Sequence, residues 1–300
     1  MDSADYTPLP VQIRAARQAD TPDVMALTAN IWEGHDYVPH VWQEWLADPH
    51  GRLLVAERQG RVLGLSKLSR ISEFDWWLQG LRVHPDYQGQ GIASRLTEAS
   101  LQAWLEIGAG TLRLTTHRPP VRHLMDRLGL ALLGEVSTFA RTDLLAEAEE
   151  IPASLFEKLA PEEAAPAAAF VLHSASMQYN WGLIDMEWVH VPPRPVYLEG
   201  IARQGQAWWW HGRQGLLAYF EDEDDDGNLA LAIQFVACQV QQLGDCLSDS
   251  LRLAASLGYA RASWMAPLHP EMLEYLEQAG FVRSWDRALG VYALEHPGKS

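Results

Sequence analysis

The most informative stretch of this chain is Leu81-Arg-Val-His-Pro-Asp-Tyr-Gln-Gly-Gln-Gly-Ile-Ala-Ser94. A strand pattern ends at Val83, a short loop follows, and Gly89 and Gly91 precede an apolar periodicity that predicts a helix over residues 92–106. Glycine lets successive backbone N–H groups turn towards one point, and the helix N-terminus adds a partial positive charge there. The stretch therefore predicts a cradle for a phosphate or pyrophosphate group. A tight strand-to-helix turn is the alternative interpretation.

The sequence on either side predicts an α/β sandwich with a mixed, mostly antiparallel sheet flanked by helices. Upstream, the pattern predicts a strand at residues 11–14, two helices, and a three-stranded meander whose last strand covers residues 75–83. Downstream, it predicts a strand at 111–115, a helix at 119–128, and two closing strands that end near Arg141.

The chain is predicted to form two domains, residues 1–146 and 147–300. Its 300 residues are twice a usual domain size, and the composition shifts to Ala, Glu and Pro after residue 145, with a linker at 147–152. An alanine-rich stretch after Pro161 is interpreted as a surface helix. The later residues repeat the order of elements in outline, which indicates a degenerate internal duplication.

Charge and composition exclude several classes of partner. The 23 basic and 39 acidic side chains give a formal net charge of −16 at pH 7, so we expect no nucleic acid and no membrane partner. An acidic chain favours small cationic partners, amines among them. The first 20 residues do not resemble a signal peptide, and no apolar run is long enough for a membrane span, so a cytoplasmic location is expected.

No metal is expected. Cys238 and Cys246 form neither a disulfide scaffold nor a zinc motif, and we interpret them as reduced thiols. The acidic run at residues 221–227 matches the opening of a calcium loop at Asp222, Asp224, Asp226 and Gly227. However, Ile233 stands where the closing glutamate is required. We therefore interpret this run as a solvated hairpin tip.

The glycine motif also carries a family resemblance. Gln88-Gly-Gln-Gly-Ile-Ala93 resembles the Q/R-x-x-G-x-G/A motif of the GNAT N-acetyltransferase superfamily, and residues 81–87 resemble that family's central strand and loop. The element order of residues 11–141 is similar to a whole GNAT fold, and residues 147–300 resemble a degenerate GNAT-like domain. The resemblance implies acetyl-CoA binding, with the pyrophosphate at residues 88–94 and the pantetheine arm along the splayed strand. The implied cofactor-binding residues are Leu81, Arg82, Val83, Gln88, Gly89, Gln90, Gly91, Ile92, Ala93 and Ser94.

The sequence departs from the family at the positions that usually carry the acid and the base. Many relatives place a carboxylate on the central strand, where this chain has Trp77 and Gln79. Many also have a tyrosine four residues before the glycine that ends the last helix, where this chain has Met125. Arg118 stands in place of the usual asparagine at the start of that helix. The catalytic groups must therefore be sought elsewhere.

His117 follows the strand expected beside the thioester, and its pKa range suits proton transfer near neutral pH, although a solvent-facing loop histidine is an equal alternative. In GNAT folds the loop at residues 32–40 borders the acceptor. Its side chains could hold a cationic amine, take its proton through water, or supply a phenol to the thiolate. The predicted catalytic residues are His117, Tyr37 and Glu33, and the predicted acceptor contacts are Glu33, His35, Asp36, Tyr37 and Gln79.

The resemblance thus implies an N-acetyltransferase that moves an acetyl group from acetyl-CoA to a primary amine by direct attack in a ternary complex. The expected acceptor is a small, cationic molecule, and the protein is expected to be a monomer or a homodimer. A non-catalytic acyl-CoA-binding sensor is the alternative, favoured by Met125 and by the missing carboxylate. The second domain lacks the glycine motif, so we expect it to bind no CoA and to complete the acceptor site or cover the sheet edge.

Overall fold

The computed structural model describes residues 10–147, 151–152, 154–223 and 229–298. In chain order, the first helices and strands are β1 (Gln12–Ala15), α1 (Thr21–Thr28), α2 (Val38–Ala47), β2 (Arg52–Arg58), β3 (Arg61–Arg70), β4 (Asp75–Val83), α3 (Ile92–Ile107), β5 (Thr111–Thr116), α4 (Pro119–Arg127) and β6 (Ala131–Arg141). They are followed by β7 (Phe156–Lys158), α5 (Ala164–His173), β8 (Ile184–Met186), β9 (Val189–Val191), α6 (Pro195–Arg203), β10 (Ala207–Trp210), β11 (Gly215–Glu223), β12 (Leu229–Cys238), α7 (Leu243–Ser256), β13 (Arg261–Pro267), α8 (Pro270–Gln278), β14 (Val282–Arg283) and β15 (Leu289–Glu295).

Contacts group the chain into two compact units that interleave in sequence. Unit 1 comprises Met1–Leu114, Pro120–Ala131 and Tyr292–Ser300, and unit 2 comprises Thr115–Pro119 and Leu132–Val291. No single position in the sequence separates the two units. One reason is that β6 pairs with β13 along its C-terminal half and is therefore grouped with unit 2. A domain boundary between residues 146 and 147 stays a prediction.

In unit 1, helices cover both faces of a sheet. Strands β1 to β4 are antiparallel neighbours in order, and β4 pairs in parallel with β5. Trp42 of α2 packs with Val55 on one face, while Leu96 of α3 packs with Ala56 on the other. Adjacent residues of one strand point to opposite faces, so this alternation places α2 and α3 on opposite sides of the sheet.

The C-terminal residues complete the core of unit 1. Tyr292 of β15 is only 1% exposed and packs with Trp104 and Leu112. Nearby, the Thr111 hydroxyl donates a hydrogen bond to Glu295 Oε1 at 2.8 Å. A segment 184 residues further along the chain therefore stabilises β5.

Unit 2 repeats the arrangement of a parallel strand pair joined by a helix. Its strand order is β6, β13, β12, β11, β10, β7, with β12 and β13 parallel and the other pairs antiparallel. Helix α7 connects β12 to β13, as α3 connects β4 to β5, and it buries Leu243, Leu247 and Ala254 in the core. The hairpin of β8 and β9 forms a separate two-stranded sheet. The shared order agrees with the predicted duplication.

One prediction about the elements is wrong. The two strands expected before Arg141 are one continuous strand, β6, because Gly134 does not form a turn there. Its missing side chain instead makes room for the Trp181 ring, which lies about 2.1 Å from where a Cβ would stand. The alanine-rich stretch forms α5, a helix with one exposed face and one face, at Ala164, Ala167 and Ala168, that is packed in the interior. Among the described residues, no helix has the length and apolar character required to cross a membrane.

Candidate active site

The glycine loop, residues 88–94, has an open backbone. Gly89 and Gly91 both adopt left-handed conformations, with φ of +74° and +77°, and Gly91 directly precedes the 16 residues of α3. A Cβ added at either glycine would have no heavy atom within 4 Å. These glycines therefore shape the turn without filling the space in front of the helix N-terminus, where an anionic group is stabilised.

Two glutamine side chains brace this loop from within. Gln88 Nε2 donates to the carbonyl of Val83 at 3.3 Å, and Gln90 Nε2 donates to the carbonyl of Asp86 at 3.4 Å. Both bonds connect the loop to the end of β4 and the turn that follows it. The glutamine side chains thus hold the loop in place.

Two arginines lie beside the glycine loop and were not identified from the sequence. Arg58 contacts Gln90 Oε1 at 3.4 Å and lies over the Tyr87 ring, 5.6 Å from its centre. Its Nε is buried without a hydrogen-bond partner among the described residues. Arg127, in the last turn of α4, donates to Ser94 Oγ at 3.3 Å. Neither arginine belongs to the motif, so only their positions in the fold reveal them as candidate phosphate ligands.

A bulge interrupts β4 next to the loop. The register passes from Leu65 opposite Arg82 to Lys67 opposite Gln79, so Gly80 and Leu81 face a single residue of β3. Gly80 has a φ of +67°, and a Cβ there would lie 2.7 Å from the Trp45 ring.

Strand β4 pairs with β5 only over its first residues. Its parallel pairing with β5 joins Asp75–Trp77 to Thr111–Arg113 and extends no further among the described residues. The bulge and this short pairing agree with the expectation of a splayed strand. A role for Leu81, Arg82 and Val83 in cofactor binding stays a prediction.

Asp36 and Tyr37 are tied to β4 by an ion pair and a hydrogen bond. Buried Asp36 accepts two hydrogen bonds from Arg82, at 2.9 Å each. Arg82 lies over the Tyr37 ring at 5.4 Å, and Tyr37 Oη accepts the N–H of Gly80 at 3.2 Å. Burial raises the pKa of Tyr37. Asp36 is thus neutralised within the protein, and its contact with a cationic acceptor stays a prediction.

The other predicted acceptor residues differ in their surroundings. His35 is exposed, and Gln79 Nε2 donates to Ser69 Oγ at 2.9 Å across the β3–β4 pair. Glu33 lies in a short 3₁₀ helix, Ile31–Gly34, but its side chain lies outside the described part of the structure. Met125, at the position where relatives have a tyrosine, is fully buried in the core of unit 1.

His117 counts with unit 2, directly after β5. Its ring packs edge-on against Trp285 at 5.3 Å, and its Nε2 lies 3.0 Å from Arg287 Nη1. Burial lowers the pKa of His117, and the positive charges of Arg287 and Arg118 lower it further. The imidazole is therefore neutral at neutral pH, the state that accepts a proton.

The acidic run at residues 221–227 lies partly outside the described residues. These include Asp222 but not Asp224, Asp226 or Gly227. Among the described residues, no group of three or more His, Cys, Asp or Glu side chains is arranged to hold a metal ion.

Comparison with known proteins defines the class of this fold. Residues 15–130 match the model of the acetyltransferase (GNAT) family. The matched part of the chain contains the glycine loop, the bulge of β4 and the loop at residues 32–40.

Two curated proteins and one solved structure show how far the similarity extends. Histidine N-acetyltransferase of Oreochromis niloticus is 32% identical over 87 residues, 29% of this chain and 26% of that protein. Probable N-acetyltransferase 16 of Homo sapiens is 27% identical over 223 residues, 66% of this chain and 58% of that protein. The chain thus spans about a quarter of the first relative's length and just over half of the second's.

The solved structure is a tandem GNAT protein from the clavulanic acid biosynthesis pathway. It superposes with a TM-score of 0.60 at 15% identity, covering 97% of this chain and 100% of that one. At this identity the likeness shows the fold alone. The prediction of a GNAT fold followed by a second GNAT-like domain is confirmed.

Proposed function

We propose that this chain is an acetyl-CoA-dependent N-acetyltransferase that acts on the primary amine of a small, cationic acceptor. The observation that carries the proposal is the glycine loop, with two left-handed glycines and open space in front of α3. The family match over residues 15–130 supports it. The name of the fish relative, a histidine N-acetyltransferase, supports a small amine as the acceptor.

The loop has the chemistry that a pyrophosphate requires. Backbone N–H groups of residues 89–94 would donate to its oxygens, and the Arg58 and Arg127 guanidinium groups beside the loop would balance its charge. The backbone of residues 81–83, beyond the bulge of β4, would bind the amide groups of the pantetheine arm. Acetyl-CoA supplies the activated acetyl group.

Transfer by direct attack needs a neutral amine and a proton for the departing thiolate. His117 is the candidate base, because its lowered pKa keeps the imidazole neutral. Glu33 stays a second candidate for this role. Tyr37 is the candidate acid, because burial keeps its phenol protonated beside the bulge. Both cysteines are buried between β12 and α7, which supports direct transfer over a cysteine-bound intermediate.

Calorimetric titration with acetyl-CoA tests the proposal, using the Gly91→Glu variant and a matched control. Gly258→Glu adds the same charge at another exposed left-handed glycine with no atom within 4 Å of its Cβ position, which places it away from the loop. We expect micromolar binding that Gly91→Glu weakens by about a hundredfold and that Gly258→Glu leaves unchanged.

Thiol release in the presence of small amines then separates the two functions. Steady release with a cationic amine is expected of the enzyme. Acetyl-CoA binding without turnover over a broad panel of amines would instead support the acyl-CoA sensor, which Met125 and the missing central carboxylate favour. Failure of the folded protein to bind acetyl-CoA would contradict both.

A further inference from the structure

Unit 2 contains a cavity of its own. The cavity has a volume of about 370 Å³ and lies over the sheet strands β11, β12 and β13, beside the turn between β8 and β9. Its lining includes the aromatic side chains Phe220, Trp188 and Trp285 and the apolar Met265. A cavity of this size suits a small organic ligand, and its lining provides the apolar surface that such a ligand buries.

The charged groups around the cavity are mainly acidic. Among the described residues that line it are three acidic side chains, Asp185, Asp222 and Glu223, and one basic side chain, Arg261. Asp222 and Glu223 are exposed at the rim, whereas Asp185 is only 4% exposed. The excess of carboxylates favours a positively charged occupant.

Asp185 is a buried carboxylate with unused hydrogen-bonding capacity. Its Oδ1 accepts the backbone N–H of Trp188 at 2.7 Å, and its Oδ2 has no hydrogen-bond partner among the described residues. Burial raises the pKa of this carboxyl to about 7. A buried carboxylate in its charged form destabilises the fold, and a cation bound in the cavity would offset that cost.

The turn between β8 and β9 holds an aromatic side chain over the same cavity. Trp188 is 49% exposed, and its ring meets Trp285 edge-on at 6.5 Å. A tryptophan face attracts organic cations, and an aromatic pair at a cavity mouth can enclose an apolar body.

We propose that this cavity binds a small organic ammonium compound, with the ammonium group at Asp185 and an aromatic or branched aliphatic body between Trp188 and Trp285. The inference concerns unit 2 alone and does not rest on acetyl-CoA binding.

Calorimetric titration of the full chain with phenethylamine tests this site, and two uncharged or oppositely charged analogues serve as references. We expect phenethylamine to bind in the micromolar to millimolar range and to bind about tenfold or more tightly than 2-phenylethanol or 3-phenylpropionate. Branched aliphatic amines such as isopentylamine should bind as well. Comparable binding of the alcohol, or tighter binding of the carboxylate at Arg261, would overturn the assignment of a cation.

Variants locate the site. Asp185→Asn keeps an acceptor for the Trp188 N–H but removes the charge, and Trp188→Ala truncates a half-exposed ring; each should weaken phenethylamine binding about tenfold. Asp143→Asn, at an exposed position of unit 2 that does not line the cavity, should have no effect. Unchanged binding in both test variants, or no binding of any amine to the folded wild-type protein, would overturn the proposal. Acetyl-CoA titration of the same samples reports on unit 1 independently.

Discussion

At the scale of single residues, the buried aspartates of the two units have different partners. In unit 1, Asp36 is paired with Arg82, and Asp75 is paired with Arg113. In unit 2, the hydrogen bond that Asp185 makes within the described residues comes from the backbone N–H of Trp188. A buried carboxylate that lacks an arginine or lysine partner destabilises the folded state in its charged form.

The raised pKa of Asp185 gives a prediction about pH. The pKa of the Asp185 carboxyl is about 7 in the folded protein, against an ordinary value of 3.8. The folded state therefore binds this proton more tightly than the unfolded state does, and protonation at low pH favours folding. That contribution is complete below about pH 4 and is lost as the pH rises through 7. Asp185→Asn removes the ionisation. We therefore expect the variant to gain stability over wild type on going from pH 5 to pH 8, by a few kcal/mol.

Urea denaturation of both proteins at pH 5 and pH 8 measures this difference. Asp143→Asn is the control, because its exposed carboxylate should give the same difference from wild type at both pH values. The prediction is contradicted if the difference in unfolding free energy between Asp185→Asn and wild type is the same at pH 5 and pH 8. That result would show that the Asp185 carboxyl is solvated.

At the scale of elements, the two units differ in the loop that precedes the connecting helix. Helix α3 follows Gly89 and Gly91, whereas α7 follows a 3₁₀ turn, Val240–Gln242, and has Asp245 in its first turn. A carboxylate at a helix N-terminus occupies the position that an anion would take. This difference supports the expectation that unit 2 does not bind CoA.

The bulge of β4 is sensitive to a single methyl group. Gly80→Ala would strain a left-handed backbone and push a Cβ to 2.7 Å from the Trp45 ring. Gly60→Ala strains the backbone in the same way but points into open space. We expect losses of about 2–4 kcal/mol for the first variant and about 1 kcal/mol for the second in urea denaturation. Equal losses would mean that the contact with Trp45 is unimportant.

At the scale of the whole molecule, unit 1 depends on the last strand of the chain. Tyr292→Ala should cost about 3–5 kcal/mol, because it removes a buried aromatic ring from the cluster around Trp104. Val282→Ala, at a position that is 70% exposed, should have almost no effect. Urea denaturation measures both, and a loss below about 1 kcal/mol for Tyr292→Ala would contradict this role of the strand.

Much of the fold was predictable because it depends on short-range patterns. Strand β4 has the predicted bounds, and α3 extends the predicted helix by one residue, since apolar periodicity and the glycines near residue 90 are local signals. The glycine loop was predictable for the same reason. The burial of α5 was not, because its alanines show no strong periodicity and become interior only through packing.

The sequence alone determined the GNAT fold, its repetition and the glycine loop, since each depends on neighbouring residues and backbone conformation. Tertiary structure alone decided that Arg82 neutralises Asp36, that Arg58 and Arg127 lie beside the loop, and that Tyr292 completes unit 1. It also assembled the cavity around Asp185. The physical reason is that ion pairing, burial and cavity walls arise between residues distant in sequence, and no local pattern encodes which of them meet.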